Sequence, residues 1–82
     1  MNKGEYRVGI NFNPSKDDMV GQIKRTAADL INLIETISVP KNGNTAHADE
    51  VIRLKELAQT HLEDAAMWAV KAATKPVPEE TK

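Results

Sequence analysis

The chain has 82 residues, with 11 basic and 12 acidic side chains and a formal net charge of −1. This balance argues against a surface that coats DNA or RNA, and the lack of cysteine excludes disulfides, thiolate metal sites and thiol nucleophiles. A single domain of this size buries little apolar surface, so we expect it to be stabilised by association with other copies.

Residues 1–14 are predicted to form an extended N-terminal arm. The arm holds the only tyrosine and the only phenylalanine of the chain, and its YRVGI segment alternates weakly, which favours a short edge strand. The first fifteen residues are mixed and polar, unlike a signal peptide, and no segment approaches the length of a membrane span. We therefore expect a cytoplasmic protein.

The arm has two interpretations. In the first it is a flap over a ligand: Tyr6 offers a flat face for a base, Arg7 supplies charge, and Gly9 lets backbone approach closely. In the second it only packs its apolar side chains against a neighbouring subunit. Those side chains are Tyr6, Val8, Ile10 and Phe12.

The first long helix is predicted over about residues 16–37. Ser15 is its expected N-cap, two aspartates follow in the first turn, and Pro40 ends the pattern. Gly21 is unusual in a helix interior, and close approach of another backbone or a flat ligand would explain it.

The second helix is predicted over about residues 46–74, capped by Asn44 or Thr45, with a flexible tail at 76–82. After His61 its apolar residues spread around the circumference, which indicates burial on all sides. A lone hairpin cannot supply that burial. We therefore predict an all-α fold, an antiparallel two-helix hairpin domain at 15–75 that assembles into a homo-oligomer.

Two cationic positions could hold an anion. Lys24 and Thr26 flank Arg25 in a segment suited to a phosphate, although a solvated face with an Arg25–Asp29 pair is the alternative. Lys71 lies in the apolar part of the second helix, where it could reach solvent or meet its copies around an anion at an oligomer axis.

Neither a metal site nor an active site is expected. His61 and Asp64 share a helix face, but the first helix offers no inward-facing histidine or carboxylate pair to complete a site. No nucleophile with a nearby base, P-loop or dinucleotide fingerprint is present. The pattern is typical of a binding protein without a cofactor.

Three segments resemble the small phage proteins of the anti-CBASS and anti-Thoeris sponge family: EYRVGINFNPS, VGQIKRTAADLINLIE and HLEDAAMWAVKAATKP. The resemblance covers about residues 6–76. It implies a helical hairpin that assembles into a compact homo-oligomer, typically a hexamer, in the cytoplasm of the infected bacterial host. It also implies sequestration, without cleavage, of cyclic dinucleotides such as cGAMP, cyclic trinucleotides or cyclic ADP-ribose isomers.

The resemblance also implies two sites. Tyr6 matches a tyrosine that stacks on a base of a cyclic dinucleotide, and Lys24 matches a lysine that contacts its phosphate; we assign Arg7 and Gly9 to the same site. The arm would then be a lid that hinges at the Ser15 cap.

The second implied site takes a cyclic trinucleotide near the oligomer axis. Thr26 matches its threonine, while Ala69 and Lys71 match an alanine–x–arginine pair. Lysine in place of arginine keeps the charge but loses the planar bidentate fork. The alternatives left open are an anti-Thoeris ligand, which the short chain disfavours because it leaves no room for an additional domain, and an oligomeric adaptor that binds no ligand.

Overall fold

The computed structural model describes residues 1–78, and within them the fold is all-α. Three helices are present: α1 (Lys3–Val8), α2 (Asp18–Glu35) and α3 (Thr45–Ala73). No strand occurs in this range, which confirms the predicted fold class. The predicted tail lies only in part within the described residues, and residues 76–78 have no regular structure.

The extended arm was a wrong prediction, because a helix, α1, occupies its first half. Asn2 Oδ1 accepts from Glu5 N (2.9 Å) and Asn2 N donates to Glu5 Oε1 (3.0 Å), which is a reciprocal capping box. At the other end Gly9 adopts φ 63°, and Ile10 N donates to the Glu5 carbonyl (3.0 Å). Local hydrogen bonds thus cap both ends of a helix in the segment for which an extended arm with an edge strand is predicted.

The N-cap of α2 is Asp17 rather than Ser15. Asp17 Oδ1 accepts from Met19 N (2.8 Å), whereas Lys16 has φ 53° and cannot belong to a right-handed helix. Ser15 Oγ instead donates to Asn13 Oδ1 (3.1 Å) in the preceding turn. The helix therefore begins at Asp18 and ends at Glu35, inside the predicted range 16–37.

The cap of α3 is Asn44, whose Oδ1 accepts from His47 N (3.0 Å). A turn at residues 36–44 separates α3 from α2. Lys55 Nζ donates to the carbonyls of Glu35 (3.1 Å) and Ile37 (2.6 Å), so the first half of α3 lies beside the end of α2.

The hydrophobic core is small and is centred on α2, which supplies four of its five residues. It consists of Val20, Ala27, Ala28, Ile31 and Ala66. Many larger apolar side chains remain exposed on the single chain, among them Leu30, Leu33, Leu54, Met67 and Trp68.

One buried polar group ties all three helices together. The Gln59 side chain is fully buried; its Nε2 donates to the Ile31 carbonyl (3.1 Å) and to Glu35 Oε1 (3.0 Å). Its Oε1 accepts from Lys3 Nζ (3.0 Å) on α1. Because each hydrogen-bonding group of this amide is satisfied, its burial is tolerated.

A close backbone approach seats α1 on α2. Gly4 is buried, and a Cβ at this position would collide with the Ala28 carbonyl oxygen. Gly4 N also donates to Asn32 Oδ1 (2.8 Å). Glycine is therefore required at position 4 for steric reasons.

The helices are too short or too polar for a bilayer. Across residues 1–78, none combines the length and hydropathy that a membrane-spanning segment requires.

Candidate ligand-binding site

The Lys24 ammonium is the centre of the turn that joins α1 to α2. Its Nζ donates to the Gly9 carbonyl (3.0 Å) and to the Phe12 carbonyl, and it lies 5.3 Å from the centroid of the Phe12 ring. The residue is only 7% exposed. The sequence placed this side chain on a helix, but its carbonyl partners depend on how the turn folds back.

No carboxylate neutralises this buried cation within residues 1–78. Four other cationic side chains have carboxylate partners: Lys3, Arg7, Arg25 and Arg53. Lys24 has only two carbonyl dipoles and an aromatic face. A desolvated ammonium without a counter-ion is electrostatically costly, so this site favours an anion.

Arg7 lies beside the same site, but it is paired. Its Nε donates to Glu63 Oε1 (2.7 Å) on α3 and its Nη2 to Thr60 Oγ1 (3.4 Å). Arg7, Lys24 and Glu63 line a cavity of about 210 Å³, whose apolar wall includes Ala66. Two cations and one carboxylate give this cavity a formal charge of +1.

The structure brings three of the four predicted dinucleotide residues together. Arg7 and Lys24 share the cavity, and Gly9 supplies a carbonyl to Lys24. The Tyr6 side chain, by contrast, is 77% exposed on the surface of α1. The ring is thus available for stacking, and it is not enclosed by its own chain.

Gly9 serves a backbone role. Its positive φ ends α1, and its amide donates to the Tyr6 carbonyl (3.3 Å). A side chain here would be strained, because φ near 63° is disfavoured for residues with a Cβ. Within the chain a Cβ at Gly9 would meet only the Phe12 side chain, at 3.9 Å, so the role that the structure gives this glycine is to end the helix.

The predicted trinucleotide residues are only partly brought together. Thr26 and Ala69 line one apolar groove of about 400 Å³ between α2 and α3, with Met19, Leu30 and Ala65. Lys71 lies on another face of α3 than Ala69, because residues two positions apart on a helix differ by about 200° around its axis. Its Nζ instead lies 5.3 Å from the Trp68 ring centroid.

Arg25 is committed to ion pairs rather than left free for phosphate. It bonds to Glu5 Oε2 (2.9 Å) and pairs with Asp29 Oδ1 (2.8 Å). Hydrogen bonding to Glu5, followed by that to Asp29, raises the pKa of Arg25. The same bond to Arg25, and then the Asn2 amide, lower the pKa of Glu5.

Sequence reasoning missed the partners that hold α1 in place. Glu63 and Gln59 lie 56 residues from Arg7 and Lys3, their respective partners, so no local pattern links them. The Asn2–Glu5 capping box could have been found, because Asn-x-x-Glu is a helix-start signal.

No group of three or more metal-ligating side chains comes together among residues 1–78. His61 and Asp64, the pair singled out in the sequence, are both exposed on α3.

Comparison with known proteins identifies the family. The sequence profile described as "Acb2/Tad1, hairpin domain" matches residues 4–74, which include every candidate site residue named above. No curated protein and no solved structure matches the chain significantly. The match spans most of α1 and all of α2 and α3. The chain therefore belongs to the Acb2/Tad1 hairpin family, the family of anti-CBASS and anti-Thoeris sponges.

Proposed function

We propose that this protein is a phage anti-defence sponge that binds cyclic oligonucleotide messengers without cleaving them. Its ligands would be cyclic dinucleotides such as cGAMP, and also cyclic trinucleotides. Sequestration in the cytoplasm of the infected bacterium would deprive host CBASS effectors of their activator. The observation that carries this proposal is the family match over residues 4–74.

The surroundings of Lys24 support an anionic ligand. A phosphate could supply the negative charge that residues 1–78 do not place beside this buried ammonium. Arg7 adds a second cation in the same cavity, and Tyr6 adds an exposed ring one residue earlier on α1. Phosphate charge and a flat base are the two features that a cyclic nucleotide presents.

The site is proposed to be shared between copies of the chain. The cavity at Arg7 and Lys24 measures about 210 Å³, less than the roughly 300–1,000 Å³ typical of ligand pockets. Two copies related by a twofold axis would present two tyrosines and two lysines to a ligand with two bases and two phosphates.

We propose that the two long helices form an antiparallel hairpin that assembles into a compact homo-oligomer, a hexamer by analogy with the family. The radius of gyration of the single chain is 16.9 Å, against roughly 12 Å for a compact domain of this length. The exposed apolar side chains of α2 and α3 also need cover.

We further propose that residues 1–14 act as the lid, with residues 15–75 as the hairpin domain and 76–82 as a tail. The lid is a short helix and a turn rather than an extended strand. Besides the packing of Gly4 against Ala28, the lid is held to α2 and α3 by ion pairs and hydrogen bonds, which can re-form when the lid moves.

The proposed trinucleotide site consists of Thr26, Ala69 and Lys71. Because Lys71 lies on a different face of α3 from Ala69, the lysine of this site must come from another copy of the chain. A groove completed at an oligomer axis would satisfy that requirement.

Two alternatives to cyclic oligonucleotide binding are tested by the same experiment. Cyclic ADP-ribose isomers offer similar chemistry, a base and phosphates. An oligomeric adaptor without a ligand is favoured by one observation: Arg7 is already paired with Glu63 within the chain.

The deciding experiment is isothermal titration calorimetry with a panel of cyclic dinucleotides, cyclic trinucleotides and cyclic ADP-ribose isomers. We expect binding, and recovery of intact ligand after denaturation of the complex. Failure of every panel member to bind at micromolar concentration would leave the adaptor interpretation.

Tyr6→Ala tests the stacking role. We expect dinucleotide affinity to fall by about 1–3 kcal/mol per lost base contact, with Tyr6→Phe as the control that keeps the ring. Sedimentation of Tyr6→Ala should match the parent protein, because the ring is exposed. A change in assembly with unchanged affinity would contradict the stacking role and support the adaptor.

A further inference from the structure

Phe12 is a large aromatic side chain that the fold fixes without burying. It is 72% exposed. Its amide donates to the Gly9 carbonyl (2.9 Å), its carbonyl accepts from Lys24 Nζ, and Lys24 Nζ lies 5.3 Å from its ring centroid. The backbone of Phe12 is thus held on both sides and its ring lies against a cation, an arrangement that reduces the ordering cost of binding.

A second cavity lies on the Phe12 side of the Lys24 side chain. It measures about 260 Å³ and is lined by Phe12, Pro14, Val20, Lys24 and Val70 among others. Lys24 also lines the cavity that contains Arg7. The Lys24 side chain therefore lines both the cavity that contains Arg7 and Glu63 and a cavity whose wall is mainly aromatic and aliphatic.

We propose that the Phe12-side cavity is a base subsite, in which a nucleobase of the cyclic nucleotide stacks on Phe12 while its phosphate pairs with Lys24. This inference rests on the proposed function, and it adds a ligand-contacting residue to Tyr6, Arg7, Gly9 and Lys24. The apolar lining suits a planar base, and the shared ammonium fixes where the negative charge must lie.

The turn geometry explains why two aromatic residues serve one site. Tyr6 and Phe12 each lie three residues from Gly9, and hydrogen bonds link them: Gly9 N to the Tyr6 carbonyl, and Phe12 N to the Gly9 carbonyl. The Gly9 carbonyl that joins this chain also accepts from Lys24. The backbones that carry the two exposed rings are thus joined through the turn whose carbonyls hold the cation.

The test compares Phe12→Ala, Phe12→Leu and Phe12→Tyr in the full chain. The probe is cyclic di-AMP carrying 2-aminopurine in place of adenine, whose fluorescence falls when the base stacks on an aromatic ring. Phe12→Ala is expected to weaken binding about 5- to 150-fold, the range for loss of one base stack. It should also relieve part of the quenching. Phe12→Leu should bind weakly, because it keeps apolar bulk without a π face, and Phe12→Tyr should bind like the parent.

Melting temperature and sedimentation separate this role from a structural one. Sedimentation should stay unchanged in Phe12→Ala, because the ring is exposed on the chain, and the melting temperature should fall only slightly, because the ring's contact with Lys24 is lost. If the parent protein binds the probe but Phe12→Ala binds it equally well, the base subsite is wrong and the proposed function stands. Loss of assembly in Phe12→Ala would also overturn the inference, since the ring would then be a subunit contact. If the parent binds neither the probe nor any member of the cyclic nucleotide panel, the proposed function itself fails.

Discussion

At the residue scale, the Lys24 ammonium holds the turn between α1 and α2, and the same group is proposed to meet a phosphate. Its bonds to the Gly9 and Phe12 carbonyls hold the segment between α1 and α2. A substitution here must therefore be assayed for local order as well as for binding.

Lys24→Met tests both roles. We expect it to abolish cyclic dinucleotide binding, because it removes the buried positive charge, and to speed amide exchange at Phe12 by loosening the turn. Hydrogen exchange read by mass spectrometry measures the second effect, and α2 and α3 should keep their protection. Lys24→Arg is the control that retains charge. Full binding by Lys24→Met would contradict an anion site at this position.

Acid should weaken the attachment of α1. Arg25 and the Asn2 amide lower the pKa of Glu5 below its usual 4.5, and Gln59 and Lys3 lower the pKa of Glu35. A lowered pKa means that each carboxylate contributes stability above about pH 4.5, which is lost as the pH falls through the folded-state value.

Glu5→Gln isolates one of these contributions. The variant should melt at a lower temperature than the parent at pH 7, and the difference should shrink as the pH falls below about 4.5, because the parent then loses its own carboxylate. Thermal denaturation followed by circular dichroism between pH 7 and 3 checks this. A difference that stays constant with pH would show that the Glu5–Arg25 pair does not stabilise the fold.

At the element scale, α1 shows how local and long-range interactions combine. Its capping box and glycine stop are local, but six residues are too few for an independently stable helix. Packing of Gly4 against Ala28 and the hydrogen bond to Asn32 therefore decide whether α1 persists.

Gly4→Ala and Gly21→Ala form a matched pair of helix substitutions. At Gly4 the new methyl group would collide with the Ala28 carbonyl, whereas at Gly21 it would meet open space within the chain. Gly4→Ala should undock α1, seen as faster amide exchange there and weaker ligand binding. Gly21→Ala should raise the stability of the fold by about 1 kcal/mol. Destabilisation or loss of assembly in Gly21→Ala would show that another subunit packs there.

At the scale of the whole molecule, the core of the single chain is small and many large apolar residues are exposed, which is the basis of the proposed assembly. The groove lined by Thr26, Leu30, Ala65 and Ala69 offers a surface on which another helix could pack closely. Covering it would bury apolar area that the single chain leaves in water.

Ala65→Glu tests whether this groove is an assembly surface. A carboxylate buried between helices without a partner is costly, so the variant should dissociate to the 9.0 kDa monomer in sedimentation experiments. Ala46→Glu is the control, since Ala46 is an exposed alanine of the same helix that lies about 100° around the axis from Ala65, and glutamate is favourable in a first helical turn. Identical assembly of both variants would place the subunit contacts elsewhere.

The main error of sequence interpretation was the arm. Weak alternation of apolar residues around Tyr6 favours a strand. The Asn2–Glu5 capping box and the left-handed Gly9 instead satisfy the free backbone groups at the two ends of a helix, and these interactions outweigh the alternation. The two aspartates after Lys16 favour Ser15 as the cap, whereas the positive φ of Lys16 puts Asp17 in the capping position. Both errors arose where competing local signals lie within a few residues of one another.

The sequence alone determined that the protein is helical and to which family it belongs, because caps, helical periodicity and motifs are properties of neighbouring residues. Only the tertiary structure decided that α1 is seated on Gly4, that Arg7 pairs with Glu63, and that Lys24 is buried beneath Phe12 without a carboxylate among residues 1–78. These contacts join residues that are 12 to 56 positions apart. Their formation depends on the path of the chain through space, and no local hydrogen bond or periodicity encodes that path.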